Sequence, residues 1–220
     1  MISIDFHCHT FASKDSFTSP EQIIAFAHRK GLDRLVVADH NAIVGALAAH
    51  ALDAELIIVG EEIKTTCGEI LAAFVSELVP RGLTPRETIR RLRQQGAFIS
   101  VSHPFDSWRS GAWKLEDLLE IVPLLDAIEV FNARCLRNEE NRLAMEFARQ
   151  HDLPGTAGSD AHTPRELGAA CLVLPPFEGP EGLRAVIRQG EVRGRLSPFW
   201  VHFQSSRISW KKSRLREGDQ

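Results

Sequence analysis

The chain opens on an alternation. Ile2, Ile4 and Phe6 alternate with Ser3 and Asp5, the period of two that marks a strand. The pattern runs out into His7-Cys8-His9. In extended chain, residues two apart point to the same side, so His7 and His9 aim together while Cys8 points away. A polar loop from Thr10 to Ser19 follows, and then the spacing becomes helical. Ser19 is an N-cap, Pro20 suits the first helical position, and Ile23, Ile24, Phe26 and Ala27 form the buried face. Gly31 ends this helix just after Arg29 and Lys30. Leu35-Val36-Val37-Ala38 is a short apolar run of the kind found in a doubly covered parallel strand, and it empties into Asp39-His40-Asn41.

The same event recurs. A short helix over Ala46–Ala51 leads to Leu56–Val59, which ends at Gly60-Glu61-Glu62. Ile70–Val75 reads as a strand with Glu69 at its mouth. Thr84-Pro85-Arg86-Glu87 opens a basic amphipathic helix, and Ala97–Val101 follows as a strand ending at Ser102-His103-Pro104. A loop from Phe105 to Trp113 and a helix over Leu115–Ile121 precede the strand Ala127–Val130, which ends at Phe131-Asn132-Ala133-Arg134. A long helix over Asn138–Gln150 precedes Gly155-Thr156-Ala157, which delivers Gly158-Ser159-Asp160-Ala161-His162. Ala170–Leu174 and a helix across Gly182–Gln189 complete the pattern.

Strands alternating with helices predict right-handed crossovers and a parallel sheet. About seven such units predict an α/β fold of one domain, a small or incomplete (β/α) barrel rather than an open sheet, over residues 1–203 with a basic tail at 204–220. In barrels the chemistry sits where strands end. Here His7, His9, His40, Glu62, His103, Asn132, Asp160 and His162 all fall at predicted strand ends. Five of the 9 histidines do so, whereas His28, His50 and His151 fall in helical stretches and His202 in the tail. That placement points to a metal centre.

Composition narrows the classes. A net charge of −3 gives no bulk attraction to nucleic acid or membrane. No apolar stretch approaches the roughly 20 residues that span a bilayer. Cys8, Cys67, Cys135 and Cys171 are scattered, and Asp5, His7 and His9 interrupt any signal-like run, so a reducing cytoplasm is the expected location.

Imidazoles and carboxylates without thiolates suit Zn, Mn or Fe. His7, His9, His40, Glu62, His103, Asp160 and His162, with Asp15 as a possible addition, offer more ligands than one ion uses, enough for two or three. A carboxylate can bridge two ions that share a hydroxide, and such a cluster neutralises charge on both oxygens of a displacement. Phosphate esters suit it best.

His7-Cys8-His9, Ala38-Asp39-His40-Asn41, Gly60-Glu61-Glu62, Ser102-His103-Pro104 and Gly158-Ser159-Asp160-Ala161-His162 stand in an order that resembles the polymerase-and-histidinol-phosphatase (PHP) family. The resemblance spans roughly residues 2 to 175. It implies a distorted (β/α)7 barrel with a trinuclear cluster that hydrolyses phosphoesters. It also implies one metal on His7, His9, Glu62 and Asp160, a second on Glu62 and His103, and a third on Asp15, His40 and His162. The family usually places another His near the position of Leu71 to Ala73, and this chain has none between His50 and His103. Glu69 is either a substitute ligand or a solvated loop acid. Asp15 is a ligand or a turn cap.

Among substrate contacts, Arg134 is the best phosphate clamp, with Lys64, Arg109 and Lys14 as runners-up. Asp160 and His103 join it as expected catalytic residues. Phe105, Trp108 and Trp113 wall a pocket or cover a core edge. Arg207, Lys211, Lys212, Arg214 and Arg216 around Trp210 either meet nucleic-acid phosphates or form a frayed end, the commoner outcome. The expected activity is that of a metal-dependent phosphoesterase on a small phosphorylated substrate or a nucleic-acid end. Amidohydrolase-like cleavage of C–N or lactone bonds, and a non-catalytic metal-binding module, are the alternatives.

Overall fold

A computed structural model describes residues 1–109 and 112–218, with the side chains of 215–218 left out. Ser110 and Gly111 of the Trp-containing loop, and the side chain of Arg216, lie outside the described residues. The alternating opening forms β1 (Ile2–Cys8), followed by α1 (Pro20–Lys30). Ser19 and Gln22 complete a capping box at the start of α1, and Gly31 closes it at φ 70. β2 (Arg34–Val37), α2 (Val44–Leu52), β3 (Ile57–Lys64) and β4 (Glu69–Ala73) come next. Then α3 (Pro85–Gln94), capped by Thr84, leads to β5 (Phe98–Val101), α4 (Leu115–Ile121) and β6 (Ile128–Asn132). α5 (Asn138–Gln150), β7 (Gly155–Gly158), β8 (Ala170–Leu174), α6 (Gly179–Val186), β9 (Glu191–Gly194) and α7 (Trp200–Gly218) complete the order.

The sheet is mixed, where the sequence predicts a parallel one. Strands bond in the order β5-β4-β3-β2-β1-β8-β9, and β6-β7 form a separate parallel pair. β1, β2 and β3 are parallel, but β4 runs antiparallel to β3, β5 to β4, β8 to β1 and β9 to β8. The reason lies in the β3–β4 link. Residues 65–68 are too few for a helical crossover, which takes a dozen or more, and the Thr65 N–H donates to the Gly68 carbonyl (2.9 Å) to close a tight turn.

The β6-β7 pair fills the gap between β5 and the exit of β1. The N–H groups of Asp126 and Ala127 donate to the Ile99 carbonyl at 2.9 and 3.2 Å. At the other side, Asp160 N–H donates to His7 O (2.7 Å) and His9 N–H to Ala161 O (2.9 Å). The result is a single α/β domain around a curled sheet, with antiparallel members that a regular (β/α)7 barrel lacks. β1 divides its outer edge: Ile2, Ser3 and Ile4 pair with β8, while its last residues meet the β7 exit. Ile4, Phe6, Val36, Ile58, Phe98 and Leu172 belong to one buried cluster that holds these strands together.

The C-terminus also departs from expectation. Residues 204–218 continue a helix that begins at Trp200, rather than fraying as a tail. Lys212 Nζ donates to the carbonyls of Phe11 (2.6 Å) and Ser13 (2.7 Å), which docks α7 on the loop after β1.

Candidate metal centre

The strand exits bring all nine predicted ligands into one cluster, with Glu62 at its middle. Glu62 Oε1 lies 3.5 Å from His7 Nε2 and 3.0 Å from His103 Nε2. Its Oε2 lies 3.7 Å from His9 Nε2 and 2.7 Å from His40 Nδ1. Asp160 Oδ1 is 3.1 Å from His9 Nε2, 3.7 Å from His7 Nε2 and 3.5 Å from His162 Nδ1. Asp15 Oδ2 sits 3.3 Å from His162 Nε2 and 3.7 Å from His40 Nε2. Glu69 Oε2 approaches His103 Nε2 at 3.6 Å, so it faces the centre. Three donor sets result, His7/His9/Glu62, Glu62/Glu69/His103 and His9/His40/His162, with the ligand atoms of each set within 4.8 Å of one another.

Backbone geometry explains the convergence. His103 and Asp160, at the exits of β5 and β7, adopt φ 29 and φ 52. Positive φ in a non-glycine residue is uncommon and concentrates at functional sites. From these exits His103 meets Glu62 and Asp160 meets His9. Asp5 holds the β7 exit against β1 by accepting from Ser159 N (2.8 Å) and Gly168 N (3.0 Å). Asp39 holds the loop after β1 by accepting from Thr10 N (2.7 Å), Thr10 Oγ1 (2.5 Å) and Ser13 Oγ (2.6 Å).

A buried carboxylate behind the ligands was missed in the sequence. Glu129 on β6 contacts His7 Nδ1 (3.0 Å) and accepts from His103 N (2.7 Å) and Asn132 Nδ2 (3.0 Å). Its signal was there: an acid in the middle of Ile128-Glu129-Val130, a position that a buried strand rarely gives to a charge. Such partners fix the tautomer and orientation of metal-binding imidazoles.

Burial opposes every charge in this centre, yet the groups divide by sign. Burial disfavours a protonated His7, but Asp160, Glu62 and Glu129 outweigh it and hold its pKa well above the ordinary imidazole value. Burial, with His162 and His40 nearby, drives His9 well below that value. Against burial, His7 and His40 hold Glu62 ionised, and Arg109 and His7 do the same for Asp160. The donor set fits divalent ions. With Nδ1 of His7 engaged by Glu129 and Nδ1 of His9 by Ser13, their Nε2 atoms face each other at 3.1 Å. Two ring lone pairs at that distance repel unless a proton or cation lies against them. Asp15 Oδ1 and His103 Nδ1 are buried without a hydrogen-bond partner, which is costly in a site with no further polar occupant.

The substrate side differs from the sequence reading. Arg134, the predicted clamp, is buried and committed: it donates to Glu166 Oε2 (2.6 Å) and Ser205 Oγ (2.8 Å), tying the β6 exit to α7. Arg109 reaches the centre instead. Asp106 holds its Nε at 2.9 Å while its terminal nitrogen meets Asp160 Oδ2 at 2.6 Å. Arg109 lines a cleft of ≈ 660 Å³ together with Lys14, Asp15, His40, Lys64 and Glu69. Trp113 is buried over Gly68 and donates to Glu69 O (3.2 Å), and Phe105 packs on Phe147, so both cover core edges. Trp108 is exposed. Outside the centre, His28 pairs with Asp53 (2.8 Å) and His50 with the Ile57 carbonyl (2.7 Å).

Comparisons with known proteins bear on the family and the fold. The PHP-associated family model matches residues 138–192. The uncharacterised Methanocaldococcus jannaschii protein MJ0417 is 33% identical over 174 residues, covering 78% of this chain and 70% of the relative. The crystal structure of PsfC from Pseudomonas syringae PB-5123 superposes with a TM-score of 0.65 at 18% identity, over 100% of this chain and 99% of that one. The lesion-specific endonuclease PfuEndoQ from Pyrococcus furiosus superposes with a TM-score of 0.59 at 16% identity, over 87% of this chain and 57% of that one. With its five strand-exit motifs gathered into one buried donor cluster, the chain belongs to the polymerase-and-histidinol-phosphatase family.

Proposed function

We propose that this protein is a metal-dependent phosphoesterase acting on a small phosphorylated substrate, with two or three Zn, Mn or Fe ions. One observation carries the reading: a buried carboxylate, Glu62, belongs to two of the three donor sets and lies 2.7 Å from His40 of the third, and the cation Arg109 stands beside them in an open cleft. His7, His9, Glu62 and Asp160 would hold one ion, Glu62, His103 and Glu69 a second, and Asp15, His40 and His162 a third. Glu69 thereby takes the role of the histidine this chain lacks. Bound ions supply Lewis acidity towards phosphoryl oxygens and lower the pKa of water.

The chain's own residues do the rest. Arg109 lines the cleft, and with its Nε on Asp106 and one terminal nitrogen on Asp160 it offers its remaining N–H groups to a phosphoryl oxygen. This assigns to Arg109 the clamp that the sequence gives to Arg134. Lys14 and Lys64 raise the positive potential of the cleft and draw in an anion. Glu129 and Ser13 keep the His7 and His9 rings aimed, so they act as positioning residues.

The test is steady-state hydrolysis of p-nitrophenyl phosphate and bis-p-nitrophenyl phosphate by Mn-loaded protein, beside Asp160→Asn and Arg109→Ala. Metal-dependent turnover that Asp160→Asn abolishes is the expected result, and the preferred ester separates phosphatase from diesterase. Turnover that survives Asp160→Asn in folded protein would remove the catalytic assignment.

A further inference from the structure

The cleft does not end at the metal centre. Lys14 and Asp15 also line a trough of ≈ 460 Å³ whose other wall is α7, through Ser205, Ser206, Ser209, Trp210 and Ser213. That volume falls within the range of about 300–1,000 Å³ for small-molecule sites. The two spaces meet at Asp15, whose Oδ2 is 3.3 Å from His162 Nε2. A phosphoryl group between Asp15, His40 and Arg109 therefore has two directions in which to extend the group it carries. The cleft wall with Lys64 and Arg81 is cationic. The α7 wall is hydroxylated and aromatic.

The hydroxyls on that wall are only partly used. Ser205 donates to His202 O (3.1 Å) and accepts from Arg134, so its donor is spent and one lone pair remains. Ser206 donates to His202 O (2.9 Å) and Ser213 to Trp210 O (2.8 Å), which leaves both oxygens free to accept. The Ser209 hydroxyl has no hydrogen-bond partner among the described residues, so it can donate and accept. Arg214 lies over the Trp210 ring at 3.9 Å to the centroid, and the indole is 55% exposed. Spacings of three, four and seven residues put Ser206, Ser209, Trp210 and Ser213 on one side of the helix. Lys212, bonded to the carbonyls of Phe11 and Ser13, sets that side against the Asp15 loop.

We infer that the trough between the Asp15 loop and α7 is the leaving-group subsite, and that it takes the hydroxylated ring of a sugar phosphate, free or as a nucleotide. The inference rests on the phosphoesterase reading for the position of the phosphate. Sugar hydroxyls match the acceptors of Ser206 and Ser213 and the uncommitted Ser209. A ring face, of the sugar or of an attached base, matches Trp210.

Calorimetric binding to Mn-loaded full-length protein tests it with three probes: inorganic phosphate, ribose 5-phosphate and adenosine 5′-monophosphate. The expected result is that the sugar esters bind more tightly than phosphate. Trp210→Ala, and Ser209→Leu, which fills the trough, should each weaken them about tenfold while the phosphate affinity holds. A gain only with the adenosine ester assigns Trp210 to the base, and a gain with both assigns it to the ribose. Sugar esters binding no better than phosphate, or all three probes weakening alike in the variants, would overturn the subsite. Absence of turnover on every ester would instead remove the phosphoesterase reading, while the binding comparison still decides the trough.

Discussion

Glu129 shows how much of this centre depends on side chains that touch no ligand atom of the cluster other than His7. Its carboxylate spans His7 Nδ1, the His103 backbone N–H and Asn132, joining three strand exits. Glu129→Gln keeps the shape and loses the charge, so metal affinity or turnover should fall about 10–100-fold with the fold intact. Metal titration followed by circular dichroism and activity reads both. His202 on α7 offers a prediction in pH. Burial, then Arg134 and Arg109, lower its pKa from 6.5 to about 4. The unfolded chain therefore binds the proton first, so this contribution is complete above pH 6.5 and is lost as pH falls towards 4. For a half-exposed group the effect is about 1 kcal/mol after solvent screening. Thermal melts of chelated protein between pH 7.5 and 4 should show a smaller loss for His202→Gln than for the parent.

The packing of β7 on β1 sets the spacing of the proposed metal ligands. Gly158 has no room for a side chain: a Cβ there would collide with His7 Cβ and lie 2.9 Å from Glu129 Oε1. Gly158→Ala should cost about 1–3 kcal/mol through overpacking and reduce bound metal. Gly31→Ala is the contrasting case, because its φ of 70 is strained for alanine but the space around it is open. It should cost about 1 kcal/mol and leave metal content unchanged. Melting temperature and metal content of the two variants separate the effects.

The same packing explains what could be read from the sequence. The apolar runs and caps located β1, β2, β5, α1 and α3 because each is a local signal. Alternation also carried His7 and His9 to one side. Strand direction was not legible by alternation alone, since an apolar run reads the same in parallel and antiparallel pairs. The short link at 65–68 was the one cue to a reversed β4. Arg134 and Arg109 changed places because the decision rests on long-range partners: Glu166 and Ser205 take one guanidinium, and Asp106 and Asp160 direct the other. β9 and α7 gave no apolar periodicity to follow, and α7 is placed through Arg134 and Lys212.

Taken as one body, the protein concentrates its buried charge at one end of the curled sheet and leaves the opposite part to apolar packing. No helix among the described residues is long and apolar enough to cross a membrane. A cluster of imidazoles and carboxylates held this deeply should make stability depend on metal. Metal at a hundred times its dissociation constant adds about 2.7 kcal/mol for each site that forms only in the folded state. Chelation should accordingly lower the melting temperature, and Zn or Mn should restore it. Elemental analysis of protein purified without chelator, compared with Glu62→Gln, addresses the convergence of the nine ligands. The proposed centre predicts two or three transition ions per chain, with at least one lost in the variant because Glu62 is shared between two of the donor sets. A folded chain that carries no ion, and takes up none when Zn or Mn is supplied, would contradict it.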